Sequence, residues 1–302
     1  MQDEEIIKEK DLHLHLAAHC AGGVIPFLDE LLESAQSLHD WWAGNKTKNS
    51  RVSDALQLLG RPALAYPILW VGDGLVAAKA ITADEADALA SAMENYIFRE
   101  LTVSKRKTND IEQHLVACAK VLRTKGAVAA IRTLASKSAD SAFEEKFRTW
   151  VTRSKAKQFY AVRAIERKLT EDNPTVAADF KWSGKATSRA WEIEHICPVA
   201  KKSSLSIEVN RIGNLVLLER ALNRACRDKD FAEKRRIYKH GRKGPHPLDG
   251  SRVSSVVGGK YPKGVVYTAL TEKTGTKVFG DKQIIDRQRE LAALALVVWR
   301  VS

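Results

Sequence analysis

The sequence predicts a mainly α fold with one small β-hairpin embedded in it, and three observations carry that expectation. Apolar residues recur at helical spacing through most of the first 171 positions, with helix-start signals between them. The stretch around 191–197 reads as a short strand, and Ile212–Leu218 is a compact apolar run suited to a second, buried strand. Much of the glycine and proline falls between Gly241 and Gly264, which reads as loop. A chain of 302 residues can bury the core of one large domain or two modest ones. The expected division is a helical domain over 1–175 and a second domain over 176–302.

Residues 1–50 read as helices ending in the polar tract Asn45-Lys46-Thr47-Lys48-Asn49-Ser50. The amphipathic stretch from Glu5 to Ala21 carries His13, His15 and His19; His15 and His19 share a face at i, i+4, but no third ligand is near, so surface or core histidines are expected. Thr82-Ala83-Asp84-Glu85 has the form of a capping box and opens a long helix reaching Phe98. Helical patterning continues through Phe143–Trp150 and Gln158–Leu169. Glu171-Asp172-Asn173-Pro174 is a break, after which Phe180–Ser188 leads into the hairpin. Val265–Leu270 could form a short strand, and Asp281–Arg300 is an apolar-faced helix expected to pack back on the core.

The most informative stretch is Trp191-Glu192-Ile193-Glu194-His195-Ile196-Cys197-Pro198, then Arg211-Ile212-Gly213-Asn214-Leu215-Val216-Leu217-Leu218, then Asn223. It sets an acid beside a histidine on one strand, adds a second strand, and puts an asparagine on the helix opened by Arg220–Ala225. Asp230-Phe231-Ala232-Glu233 caps a fresh helix running through Tyr238. Each piece alone is ordinary: a Glu-His pair suits any surface strand, and Gly-Asn is a turn signal. Order and spacing together point to chemistry. Hard divalent ions take carboxylate, amide and water oxygens, which suits Glu194 and an asparagine carbonyl. Histidine, with a pKa of about 6.5, suits proton abstraction from water near neutral pH. Neighbouring strand residues point to opposite faces, so Glu194 and His195 can serve one centre only on a twisted strand or at a hairpin's edge.

This order resembles the HNH nucleases, whose core is a strand–strand–helix unit around a metal. The resemblance implies an α-helical domain plus a ββα-metal nuclease core. It implies that Glu194 is a metal ligand, that His195 is the general base, and that Asn214 pins the loop between the strands. Asn223 would complete the metal site and, with His195 and Asn214, the catalytic group. The last motif position is Asn rather than His, which favours Mg²⁺ or Mn²⁺ over Zn²⁺. The resemblance also offers Arg227, one helical turn on, as a candidate phosphate clamp.

The likeness extends to Glu94-Asn95-Tyr96-Ile97-Phe98-Arg99, Asn109, the helix around Leu115–Leu122, and Phe159–Glu166. It also takes in Phe231, Lys234 and the closing helix with Arg287, Leu291 and Trp299. Over roughly 50–302 the chain resembles the C-terminal half of modification-dependent restriction enzymes, and so resembles the stand-alone HNH effectors of anti-phage systems such as type II Zorya. Those restriction enzymes usually carry an amino-terminal nucleotide-hydrolysing domain. Here there is no room for one and no Gly-Lys-Ser/Thr phosphate loop, so no nucleotide site is expected and a partner in a multi-gene defence system would supply energy or targeting.

Charge agrees. A net charge of +12 points to a polyanionic partner. From Glu219 to Lys243 there are ten Lys/Arg against four Asp/Glu, and Arg224, Arg227, Lys234, Arg235, Lys239, Arg242 and Lys243 could track a phosphate backbone. The alternative is a solvated helix face with pairs such as Glu233 with Arg236. Cys20, Cys118, Cys197 and Cys226 show no Cys-x-x-Cys spacing, and the amino terminus does not read as a secretory leader, so a cytoplasmic protein with free thiols is expected. No apolar run is long enough to span a bilayer. The expected function is metal-dependent, weakly specific DNA nicking in defence against phage. The alternatives are a non-cleaving nucleic-acid-binding adaptor and an RNA-directed HNH toxin.

Overall fold

In the computed structural model the described residues are 12–20, 23–43, 50–60, 62–169, 191–240 and 278–301. They are mostly helical, with one small two-stranded antiparallel sheet. The chain forms two compact units, one of residues 1–139 with 299–302 and one of residues 140–298. The sequence boundary at 175/176, the break at Glu171–Pro174, the lead-in 180–188, the loop 241–264 and the candidate strand 265–270 all lie outside the described residues. So do the tract Asn45–Asn49 and the side chains of His13, His15 and His19.

The first unit contains α1 (Leu12–Cys20), α2 (Val24–Ala43), α3 (Ser50–Leu59), α4 (Tyr66–Ala77), α5 (Ala83–Ile97) and α6 (Thr108–Ala135). Thr82 caps α5 as the sequence suggests: its hydroxyl accepts from the Glu85 N–H, and the Glu85 carboxylate accepts from the Thr82 N–H. Leu89, Met93, Tyr96 and Ile97 of α5 pack with Ile111, Leu115 and Leu122 of α6 in the buried core. Gly126 interrupts α6 at φ +79°, a conformation that glycine adopts at little cost.

The Glu94–Arg99 motif has a structural task in this unit. It runs from α5 into a π-helical turn, Phe98–Val103. There Phe98 stacks on Trp299 with ring centroids 4.3 Å apart. Asn95 donates to the Arg300 carbonyl at 2.8 Å, and Arg99 donates to the carbonyls of Ser138 and Trp299 at 3.1 and 3.3 Å. Buried carbonyls that leave helix ends need such donors. The motif therefore fastens the last residues of the chain to its own unit.

The second unit holds α7 (Asp140–Thr149), α8 (Lys155–Leu169), β1 (Trp191–His195), β2 (Leu215–Glu219), α9 (Arg220–Cys226), α10 (Phe231–His240) and α11 (Asp281–Val298). The strands pair antiparallel with Trp191 opposite Glu219, Glu194 opposite Val216 and His195 opposite Leu215. Leu215, Val216, Leu217 and Leu218 are all buried, so β2 is covered on both faces. The closing helix α11 packs on α7 and α8, as its apolar face suggests.

Helix α11 also grips the turn before β2. Arg287 donates from one Nη to the carbonyls of Gly213 and Leu215 at 2.8 and 2.9 Å. Gln288 donates to the carbonyls of Phe147 and Trp150 at 2.7 and 3.0 Å and accepts from Arg211 at 3.0 Å. This approach requires Gly213. A β-carbon there would overlap the Ile284 carbonyl oxygen and lie 2.9 Å from the Gln288 β-carbon. Because the first of these is backbone, no side-chain rotation relieves the clash. Gly213→Ala should therefore lower stability by about 1–3 kcal/mol, the usual cost of overpacking, read as a shift in the urea midpoint. An unchanged midpoint would refute the close approach.

Candidate active site

The hairpin and the two helices after it form the candidate site. Side chains alternate along β1, so Glu192 and Glu194 share a face. Helix α9 begins directly after β2 and packs beside β1, where Asn223 donates its amide N–H to Glu192 Oε2 at 2.8 Å. Asn223 uses its nitrogen in that bond and not its carbonyl oxygen, the atom that a hard cation takes. Arg220 Nε lies 3.6 Å from Glu192 Oε1.

Helix α10 supplies the second contact to this face. The Asp230 carboxylate accepts from the Glu233 N–H at 2.9 Å, the cap expected from the sequence. One turn in, Lys234 places its ammonium 2.5 Å from Glu194 Oε1 and 2.6 Å from the His195 carbonyl oxygen. Lys234 is 0% exposed and Glu194 5%. The expectation that Lys234 contacts phosphate on the surface is thus corrected. It lies on the apolar face of α10, three residues after buried Phe231, where an ammonium persists only against an anion.

His195 ends β1 and turns toward a different partner. Its Nε2 lies 3.0 Å from Asn210 Oδ1, in the loop between the strands. Burial lowers the His195 pKa, the Asn210 bond opposes that shift, and the charges of Lys234 and Lys155 add to it. The neutral imidazole is favoured. Asn214 is 0% exposed and spans the loop: its Oδ1 accepts from the Cys197 N–H at 2.7 Å, and its Nδ2 donates to the carbonyls of Cys197 and Val209 at 3.0 and 2.8 Å.

The structure therefore brings Glu194 next to the His195 main chain, and Asn223 next to Glu192, on one side of the hairpin end. Asn214 stays within the loop. Arg224, Arg227 and Arg235 are exposed beyond the site, while the side chain of Lys239, and Arg242 and Lys243, lie outside the described residues. Sequence reasoning missed Glu192 and Asn210. The i, i+2 spacing from Glu194 could have revealed the first; nothing local marks the second, fifteen residues from its partner. The cysteines are free. Burial, with the Glu194 charge adding, pushes the Cys226 thiol up to about 12.

Among the described residues no group of three or more His, Cys, Asp or Glu forms a ready-made cage for a metal. The donor set nonetheless fits a hard divalent ion: two carboxylates on one strand face and one amide.

A model of the GmrSD restriction endonucleases, C-terminal domain, matches residues 137–294, which is nearly all of the second unit and the whole of this site. The chain belongs to that family. The GmrSD match and the HNH-like order of Glu194, His195, Asn214 and Asn223 place it in an HNH-type branch. No curated protein and no solved structure matches the chain. Among the described residues no helix is long and apolar enough to cross a membrane.

The buried pair makes a prediction for this GmrSD-type unit. Lys234→Met strands the Glu194 carboxylate in the interior and should cost about 3–5 kcal/mol. Adding Glu194→Gln should recover much of that loss, since no buried charge then remains unpaired. Denaturant melts of the two single variants and the double variant measure the coupling, and additive losses would show that the pair is not an energetic unit.

Proposed function

We propose that this protein is a metal-dependent endonuclease that nicks DNA with little sequence preference, in bacterial defence against phage. The observation that carries the reading is the placement, inside a restriction-endonuclease domain, of carboxylates and an amide on one face of β1 with a histidine at its end. Glu194 and Asn223 would hold Mg²⁺ or Mn²⁺, with Glu192 orienting Asn223. When bound, such an ion would supply positive charge to the scissile phosphate and to the leaving oxygen.

The chain's own residues do the rest. His195 takes a proton from the water whose oxygen attacks phosphorus. The P–O3′ bond breaks, the leaving O3′ takes up a proton from solvent, and the products carry 5′-phosphate and 3′-hydroxyl ends. Asn214 keeps the His195-to-Pro198 corner in place through the Cys197 main chain. Arg224, Arg227 and Arg235 contact phosphates without reading bases, so target choice falls to a partner protein.

Purified protein with supercoiled plasmid and Mg²⁺ or Mn²⁺ should yield open circles well before linear DNA, because one reactive centre cuts one strand per engagement. Rates should fall steeply as salt rises. His195→Ala should lower cleavage by about 10²–10⁴-fold with folding intact, and Glu194→Gln or Asn223→Ala should weaken Mn²⁺ binding. Cleavage that survives EDTA, or near-normal cutting by His195→Ala, would overturn the reading. Linear product from the start at a fixed sequence would replace the nickase with a sequence-reading dimer, and cleavage confined to a parallel RNA substrate would replace DNA with RNA.

A further inference from the structure

His195 sits at the end of a short hydrogen-bonded chain whose polarity is set by the backbone. Gln158, near the start of α8, donates its side-chain amide N–H to the Thr152 carbonyl at 2.7 Å. A backbone carbonyl can only accept, so this contact fixes which end of the Gln158 amide is nitrogen. The same nitrogen lies 3.4 Å from Asn210 Oδ1, to which it offers its second hydrogen. Asn210 therefore presents its oxygen, and that oxygen is the atom 3.0 Å from His195 Nε2. An acceptor oxygen there demands a proton on Nε2, and a neutral imidazole with Nε2–H carries its lone pair on Nδ1.

We infer that Asn210 and Gln158 are positioning residues that hold His195 as the Nε2–H tautomer and leave Nδ1 as its proton acceptor. The catalytic half of this inference rests on His195 being the general base; the tautomer itself does not. The arrangement links α8 to the chemistry through side chains alone. Gln158 is 2% exposed, so its amide has protein partners and little water to turn toward. A histidine without such a chain would populate both neutral tautomers, and one of them would point its N–H where a base is needed.

The test uses the full-length protein labelled with ¹⁵N-histidine, free of metal, about two pH units above the ordinary histidine pKa. His195→Ala identifies the His195 signals among those of the eight histidines. Wild type should show the protonated nitrogen at Nε2 and the unprotonated one at Nδ1. Asn210→Leu should give a mixed tautomer and lower kcat by about 10²-fold, the scale of a misplaced catalytic group, with KM little changed. Asn210→Asp, which keeps an acceptor oxygen at the same place, should restore the Nε2–H signature and serves should the leucine variant fail to fold. Gln158→Leu should loosen the tautomer without removing Asn210.

A wild-type proton on Nδ1, or an unaltered tautomer and rate in a folded Asn210→Leu protein, would overturn the inference while leaving the general-base reading to stand on His195→Ala. If wild type cut no nucleic acid yet showed the Nε2–H tautomer, the nuclease reading would fail and the positioning chain would remain.

Discussion

The second unit depends on one interaction, the buried pairing of the Lys234 ammonium with the Glu194 carboxylate. Neither charge could enter the interior alone, because each would lose its water without compensation. The same ammonium also takes the His195 carbonyl, so a single side chain from α10 fixes both the acid's orientation and the end of β1. That obliges α10 to return across the hairpin. The short turn between Cys226 and Asp230 and the Asp230 cap start the helix where Lys234 can reach inward. Buried ion pairs add little net stability compared with an apolar core, so a pair kept at this cost is better understood as specifying geometry.

A second constraint closes the same scaffold from the other end of the chain. Arg287 and Gln288 satisfy carbonyls of the 212–215 turn and of the end of α7, so the loop that carries Asn210 and Asn214 is held at its base by a helix seventy residues further on. Gly213 permits that contact by having no side chain. The family match running to residue 294 has a physical basis here: without α11, the turn feeding β2 would leave its carbonyls unpaired.

Local chemistry was legible in the sequence where it acts through short range. The Thr82 and Asp230 caps, the two strands, the helix bearing Asn223 and the closing apolar helix all follow from patterns within a few residues. What could not be read was the partner of each polar group. Lys234 looks like any lysine in a basic stretch until α10 is folded and its Phe231 face proves to be buried. Asn210 lies in a loop with no pattern at all, and its contacts with His195 and with Gln158 of α8 join residues far apart in the sequence. Glu192 is hidden for another reason: it is not adjacent to the Glu194–His195 pair, and only strand geometry groups residues two apart.

That alternation, at first an obstacle to a common centre, explains how the site is divided. Glu192 and Glu194 meet α9 and α10 through Asn223 and Lys234, while His195 turns to Asn210 and, through it, to α8. On the nuclease reading, cation ligands and base are kept apart by the strand itself, which prevents the acid from simply pairing with the imidazole and raising its pKa. A phosphate laid across the end of β1 would then meet the cation from one side and the activated water from the other. In-line attack requires that separation, because the entering and leaving oxygens lie on opposite sides of phosphorus. On that reading the hairpin end would supply it with one strand, because consecutive residues face apart.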